Sequence, residues 1–177
     1  ALPITFVIFA VDGFILPGAA QIWASGDKAS LQRLVERAAV LRFAASLAAA
    51  LGILVLGDWL LGLFGEEFVQ GYTLLMILVT AQLIVASVGP VLPLLNVSGH
   101  EDKALRVYGL ALVVVAGLVA VFAPIWGING VGIAVAGVMV TASVTLNVLV
   151  IRHLGIRPAV LSSIRSYLGR RRRSAGA

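Results

Sequence analysis

Asp12, Arg42, Gln82, Asn96 and Asn147 are the side chains of this sequence best suited to a polar ligand, and each lies in or beside a run of apolar residues. A carboxylate in the middle of such a run costs about 2.5–3.5 kcal/mol on insertion scales unless it meets water or a partner. Asp12 therefore marks either the wall of a wet cavity, with a role in coupling ions or protons, or a bend at Asp12-Gly13 or a polar site near the outer end of its run. Arg42 opens the apolar stretch 43–57 and follows Arg33 and Arg37. Its first reading is an interfacial anchor whose long stem snorkels to the headgroups. Its second is a guanidinium fork turned into the protein, where the planar donor set matches a carboxylate or a phosphate. Gln82, Asn96 and Asn147, with Thr80, Thr141 and Thr145, suit hydrogen bonding between helices at about 0.6 kcal/mol each. Contact with the hydroxyls of a ligand is the second reading for that set.

Other chemistry is absent from the sequence. With no cysteine there is no disulfide, no thiolate metal site and no thiol nucleophile. No His-Glu-x-x-His, no phosphate-binding Walker loop and no Ser-His-Asp set occurs, and His100 and His153 stand beside charged residues in polar segments. The paired acids Glu66-Glu67 and Glu101-Asp102 read as loop charges. No catalytic, cofactor-binding or metal-ligating residue is assigned, and the chain is read as a protein other than an enzyme.

The elements that must position these side chains are set by composition. Of 177 residues, 60% are hydrophobic and 12% charged, with a mean hydropathy of +1.07, too apolar for a core wrapped in a polar shell. The net charge of +5 does not point to nucleic acid, because the 13 Lys and Arg fall into three clusters, at 28–42, 103–106 and 152–173. Between them lie uncharged runs, of which 107–151 is long enough for two crossings of roughly 20 residues each. Pro124, Gly127, Asn129 and Gly130 interrupt it, which predicts a helical hairpin. The expected fold is an all-α integral membrane protein with five transmembrane helices, at about 2–20, 40–63, 72–95, 107–123 and 131–151. The first ends at Pro17-Gly18, an amphipathic piece at 30–38 lies along the interface, and Pro90 and Pro93 bend the third. Residues 1–155 form the transmembrane lobe and 156–177 a basic cytoplasmic tail, in which Arg170 to Arg173 anchor the orientation. Small residues at four-residue spacing, Ala44-Ala48-Gly52 and Gly132-Ala136, allow close helix packing. All basic residues fall in alternate loops and the tail, so those loops and the C-terminus are expected on the cytoplasmic side. The chain opens in an apolar run without an initiator Met and its first helix enters from outside, which suggests the C-terminal part of a longer protein.

Several strings resemble a known family. Pro17-Gly18-Ala19-Ala20-Gln21 running to Gly26-Asp27 and Leu31-Gln32-Arg33 is similar to a cytoplasmic loop of bacterial polysaccharide flippases. Phe64-Gly65-Glu66-Glu67-Phe68 with Gly71-Tyr72, Leu75, Ile77-Leu78 and Gln82 resembles another of that family's segments, as do Gly89-Pro90, Leu94-Leu95-Asn96 with Gly99-His100-Glu101, and the turn Gly127 to Ala134. The order and spacing hold over nearly the whole chain. The resemblance implies the multidrug/oligosaccharidyl-lipid/polysaccharide exporter superfamily, in which two six-helix lobes face each other across a cavity. This chain would then be most of the C-terminal lobe of a protein of 12 to 14 helices, with an N-terminal lobe elsewhere. Its implied task is to flip lipid-linked oligosaccharide across the bacterial inner membrane by alternating access, with membrane lipids as its surroundings and Arg42 as a contact for a lipid-linked pyrophosphate. A lipid II flippase, a cation-coupled drug exporter of the same superfamily, and a membrane scaffold without a transport path are the alternatives.

Overall fold

The computed structural model describes residues 2–64, 71–156 and 158, and among these every regular element is a helix. In chain order they are α1 (Leu2–Ala24), α2 (Lys28–Phe64), α3 (Tyr72–Val88), α4 (Val91–Val97) and α5 (Glu101–Leu154). Glu66-Glu67 and the arginines at 157, 165 and 170–173 lie outside the described residues.

The Pro17-Gly18 pair does not end the first helix, which runs on to Ala24. Pro17 removes one amide donor, and the remaining ladder carries the helix past it. The stop comes at Gly26, whose φ of 74° is open to glycine without steric cost. Asp27 then caps α2, its Oδ1 accepting the amides of Ala29 and Ser30 at 3.0 Å. The amphipathic piece is likewise no separate interfacial helix. Residues 30–38 belong to the unbroken 37-residue α2, and Leu31, Val35 and Ala38 are buried against α1 and α4.

The third apolar run breaks once, at Gly89 (φ 90°), where α3 and α4 meet at 44°. Pro93 sits inside the first turn of α4, where a missing amide donor is harmless, and causes no second bend.

In α5 one residue, Gly127 (φ 58°, ψ −143°), departs from helical geometry. A straight helix of 54 residues would be about 81 Å long. Instead the rings of His100 and His153, at its two ends, are 5.6 Å apart. At the turn, a Cβ added to Gly130 would lie 2.5 Å from the Phe122 carbonyl oxygen. The chain therefore folds back at Gly127 into two antiparallel arms, 101–126 and 128–154, which is the hairpin expected from its turn formers.

One core joins Ile15 and Ala19 of α1, Leu31 and Val35 of α2, Leu94 and Leu95 of α4, and Leu146 and Val150 of the returning arm. A second, nearer the start of α1, gathers Ile4, Ile8, Ala50, Val79 and Ala86. Gly132 packs against Leu74, but Ala44, Ala48 and Gly52 are exposed, and a Cβ at Gly52 would meet nothing within 4 Å among the described residues. The packed body extends past residue 155, since Ile156 and Pro158 are both buried.

By length and composition, three helical segments are able to cross a membrane: Ile4–Ala24, Lys28–Gly57 and Glu101–Leu154. The bent pair Tyr72–Val88 and Val91–Val97 adds a fourth if it acts as one span.

Candidate functional site

Antiparallel packing of α1 on α2 decides where the charges go. A three-residue loop joins the helices, and Asp12 and Arg42 each lie roughly 20 Å from it at 1.5 Å per residue. They are therefore level, on facing helices. Arg42 Nη1 is 3.0 Å from Asp12 Oδ1 and 3.1 Å from Oδ2, and it also donates to the Gly89 carbonyl at 3.0 Å. Arg42 is 5% exposed, so its snorkelling role is overturned. That reading started the helix at Val40 and put Arg42 at its mouth; the helix starts at Lys28, which carries Arg42 deep into the bundle.

The pair lines a half-open cavity of about 420 Å³ to which all five helices contribute residues. Thr5, Ile8, Phe9 and Asp12 present one face of α1, spaced three and four residues apart. Gln82 and Val85 come from α3, Leu92 from α4, Tyr108 and Leu112 from the outgoing arm of α5, and Met139 and Ser143 from the returning arm. The lining is mostly apolar. Its polar groups are the ion pair, the Gln82 amide that donates to Thr5 Oγ1 at 3.0 Å, Tyr108 and Ser143.

The floor of the cavity is the α3–α4 break. A helix interrupted in an apolar setting leaves carbonyl oxygens that need donors. The Val88 carbonyl accepts from Asn147 Nδ2 at 3.0 Å, and the Gly89 carbonyl accepts from Arg42. Two polar side chains from different helices thus complete the backbone at one bend. Gly89 allows no side chain there, because a Cβ would stand 2.0 Å from the Pro158 carbonyl oxygen. Among the described residues, Arg42 Nε and Ser46 Oγ, one turn apart on α2, are buried without a hydrogen-bond partner.

Asp12, Arg42 and Gln82 are thus brought together on one cavity, and Asn147 supports its floor, which is the packing role expected of it. Asn96 is exposed on α4 and stands apart from the site. Thr80, Thr141 and Thr145 spend their hydroxyls on carbonyls one turn back in their own helices. Tyr108, Thr5 and Ser143 were missed from the sequence. The signal for Tyr108 was its spacing with Ala111, Leu112 and Val115, which places all four on one helix face.

Compared with known families, curated proteins and solved structures, the chain matches none of them.

Proposed function

We propose that this chain is a lobe of a bacterial inner-membrane transporter that flips lipid-linked oligosaccharide, with the cavity as one wall of the substrate path. The observation that carries the reading is the Asp12–Arg42 ion pair on the wall of an otherwise apolar cavity, tied to the bend of a broken helix. Charges placed at depth among apolar helices mark substrate or ion pathways, and broken helices suit alternating access. The outer surface supports the membrane setting: Phe6, Phe14, Val55 and Leu105 are each more than 70% exposed, a large apolar area that lipid would cover. On this reading α1, α2, the α3–α4 pair and the two arms of α5 make five crossings, with the basic loops cytoplasmic. The ordered strings similar to polysaccharide flippases give the substrate class.

Substitution at the chromosomal locus tests this. Asp12→Asn and Arg42→Ala are expected to lower surface polysaccharide about tenfold or more at matched membrane levels, and Arg171→Ala in the tail to leave it unchanged. Equal export by all three variants would remove the proposed path. The mostly apolar lining with Phe9 and Tyr108 favours a second reading, cation-coupled export of an apolar compound. In that case dye efflux falls in the Asp12→Asn strain while surface polysaccharide stays normal.

A further inference from the structure

The two histidines of the chain meet where the open ends of the α5 hairpin come together. His100 caps the N-terminus of α5 and His153 lies in its last turn, with ring centres 5.6 Å apart and planes at 55°. Each ring spends its Nδ1 on the backbone: His100 Nδ1 is 2.9 Å from the Ser98 carbonyl oxygen, and His153 Nδ1 is 2.9 Å from that of Leu149. Ser98 Oγ lies 3.2 Å from the same nitrogen of His100. A carbonyl oxygen only accepts, so both Nδ1 atoms carry the proton, which leaves Nε2 as the ring position open to a metal. Histidines that ligate metals are held in this way, with the second ring nitrogen on a carbonyl that fixes tautomer and orientation.

We propose that His100 and His153 form a two-imidazole site for a first-row divalent cation, zinc or copper, which staples the two arms of α5 together. A metal about 2.0–2.1 Å from each Nε2 lies about 3.2 Å from each ring centre, so two imidazoles at the tetrahedral angle have centres about 5.2 Å apart. The observed 5.6 Å between ring centres equals the spacing of two imidazoles bound at an angle near 120°, an arrangement that requires both Nε2 atoms to turn to one point. Glu101 and Asp102 in the first turn of α5, followed by Lys103 and Arg106, and Arg152 in its last turn bring charges of both signs to the same end of the hairpin. Among the described residues no group of three or more His, Cys, Asp or Glu gathers around a point. Water therefore fills the remaining positions, and the site exchanges its metal instead of holding it as a closed four-ligand site does. The site is independent of the transport reading.

Because the chain has two histidines, 15N-histidine labelling of the full chain in detergent observes this site without background. In a titration with zinc chloride, both Nε2 resonances are expected to start in the Nδ1–H tautomer, to move together and to saturate at one equivalent. In His153→Gln the His100 Nε2 resonance should need about tenfold more zinc, or beyond. The proposal is overturned by a shift of one ring alone, by saturation at two equivalents, by no shift, or by a His100 response that His153→Gln leaves unchanged. The wild-type titration decides the matter even if the variant does not fold.

Discussion

Arg42 Nη1 and the Gly89 carbonyl oxygen are 3.0 Å apart, so a side chain of α2 completes the backbone that α3 leaves open where it breaks. An Nη1 has two hydrogens. With one directed at Gly89, the other is shared by the two oxygens of Asp12, and the ion pair and the bend draw on a single nitrogen.

That sharing predicts non-additive stability. Asp12→Asn or Arg42→Met alone leaves a buried group without its charge partner and should destabilise by about 3–5 kcal/mol. The double variant Asp12→Asn/Arg42→Met removes both charges and should retain the cost of the open Gly89 carbonyl, about 1–3 kcal/mol. Unfolding of the purified chain in mixed micelles measures all three. Additive losses, or single variants within about 1 kcal/mol of wild type, would dismantle the coupling.

Gly89 should tolerate no side chain. Gly89→Ala meets the Pro158 carbonyl and a φ of 90°, so little folded protein should reach the membrane. Gly52→Ala is the matched control, since a Cβ there meets nothing within 4 Å and the residue is helical. It should be stable to within about 0.5 kcal/mol or gain slightly from helix propensity. Quantitative blotting of membrane fractions and unfolding in micelles separate the two, and equal yields would refute the tight packing.

The cap at Asp27 sets a pH dependence. Its hydrogen bonds from the Ser30 hydroxyl and amide hold the carboxyl below the usual carboxylate range, with the Ala29 amide and Arg33 acting in the same direction. A carboxyl whose pKa is lower folded than unfolded stabilises above the unfolded value, and that contribution disappears as pH falls through the folded one. Amide exchange at Ala29 and Ser30 should therefore be slower in wild type than in Asp27→Ala at neutral pH, with the difference closing below about pH 4. A difference that persists in acid would mean the carboxylate is not the cap.

On the proposed membrane reading, the charge asymmetry and the reversal at Gly127 set the expected topology. Reporter fusions after Asn129 should be periplasmic, and those after Lys103 or Gly169 cytoplasmic. A periplasmic reporter at the C-terminal position would overturn both the orientation and the proposed number of crossings.

Those features legible in the sequence were local ones. Long apolar runs dictated helices, because a backbone in an apolar setting must satisfy itself within its own segment. The reversal among Pro124, Gly127, Asn129 and Gly130 and a bend near Pro90 were visible, because turn formers and prolines act at their own positions, although the break itself falls on Gly89 and Pro93 adds no bend. Local reasoning also failed locally: Pro17 did not stop α1 and the 30–38 piece did not separate from α2, since helical continuity outweighed single-residue signals.

What only the tertiary structure decided was which polar groups meet. Asp12 and Arg42 face each other because two antiparallel helices put residues equidistant from their loop at one level, and the helix start at Lys28 had to be known before that level could be counted. Asn147 reached a carbonyl at the bend while Asn96, of the same type and as close to that bend in sequence as any candidate, was left on the surface. The sequence by itself determined that the apolar runs are helical and that the chain turns near Pro90 and Gly127, because those preferences belong to each residue and its near neighbours. The destination of each buried charge and amide was decided by packing, since a donor far away in sequence becomes a partner only when a helix carries it there.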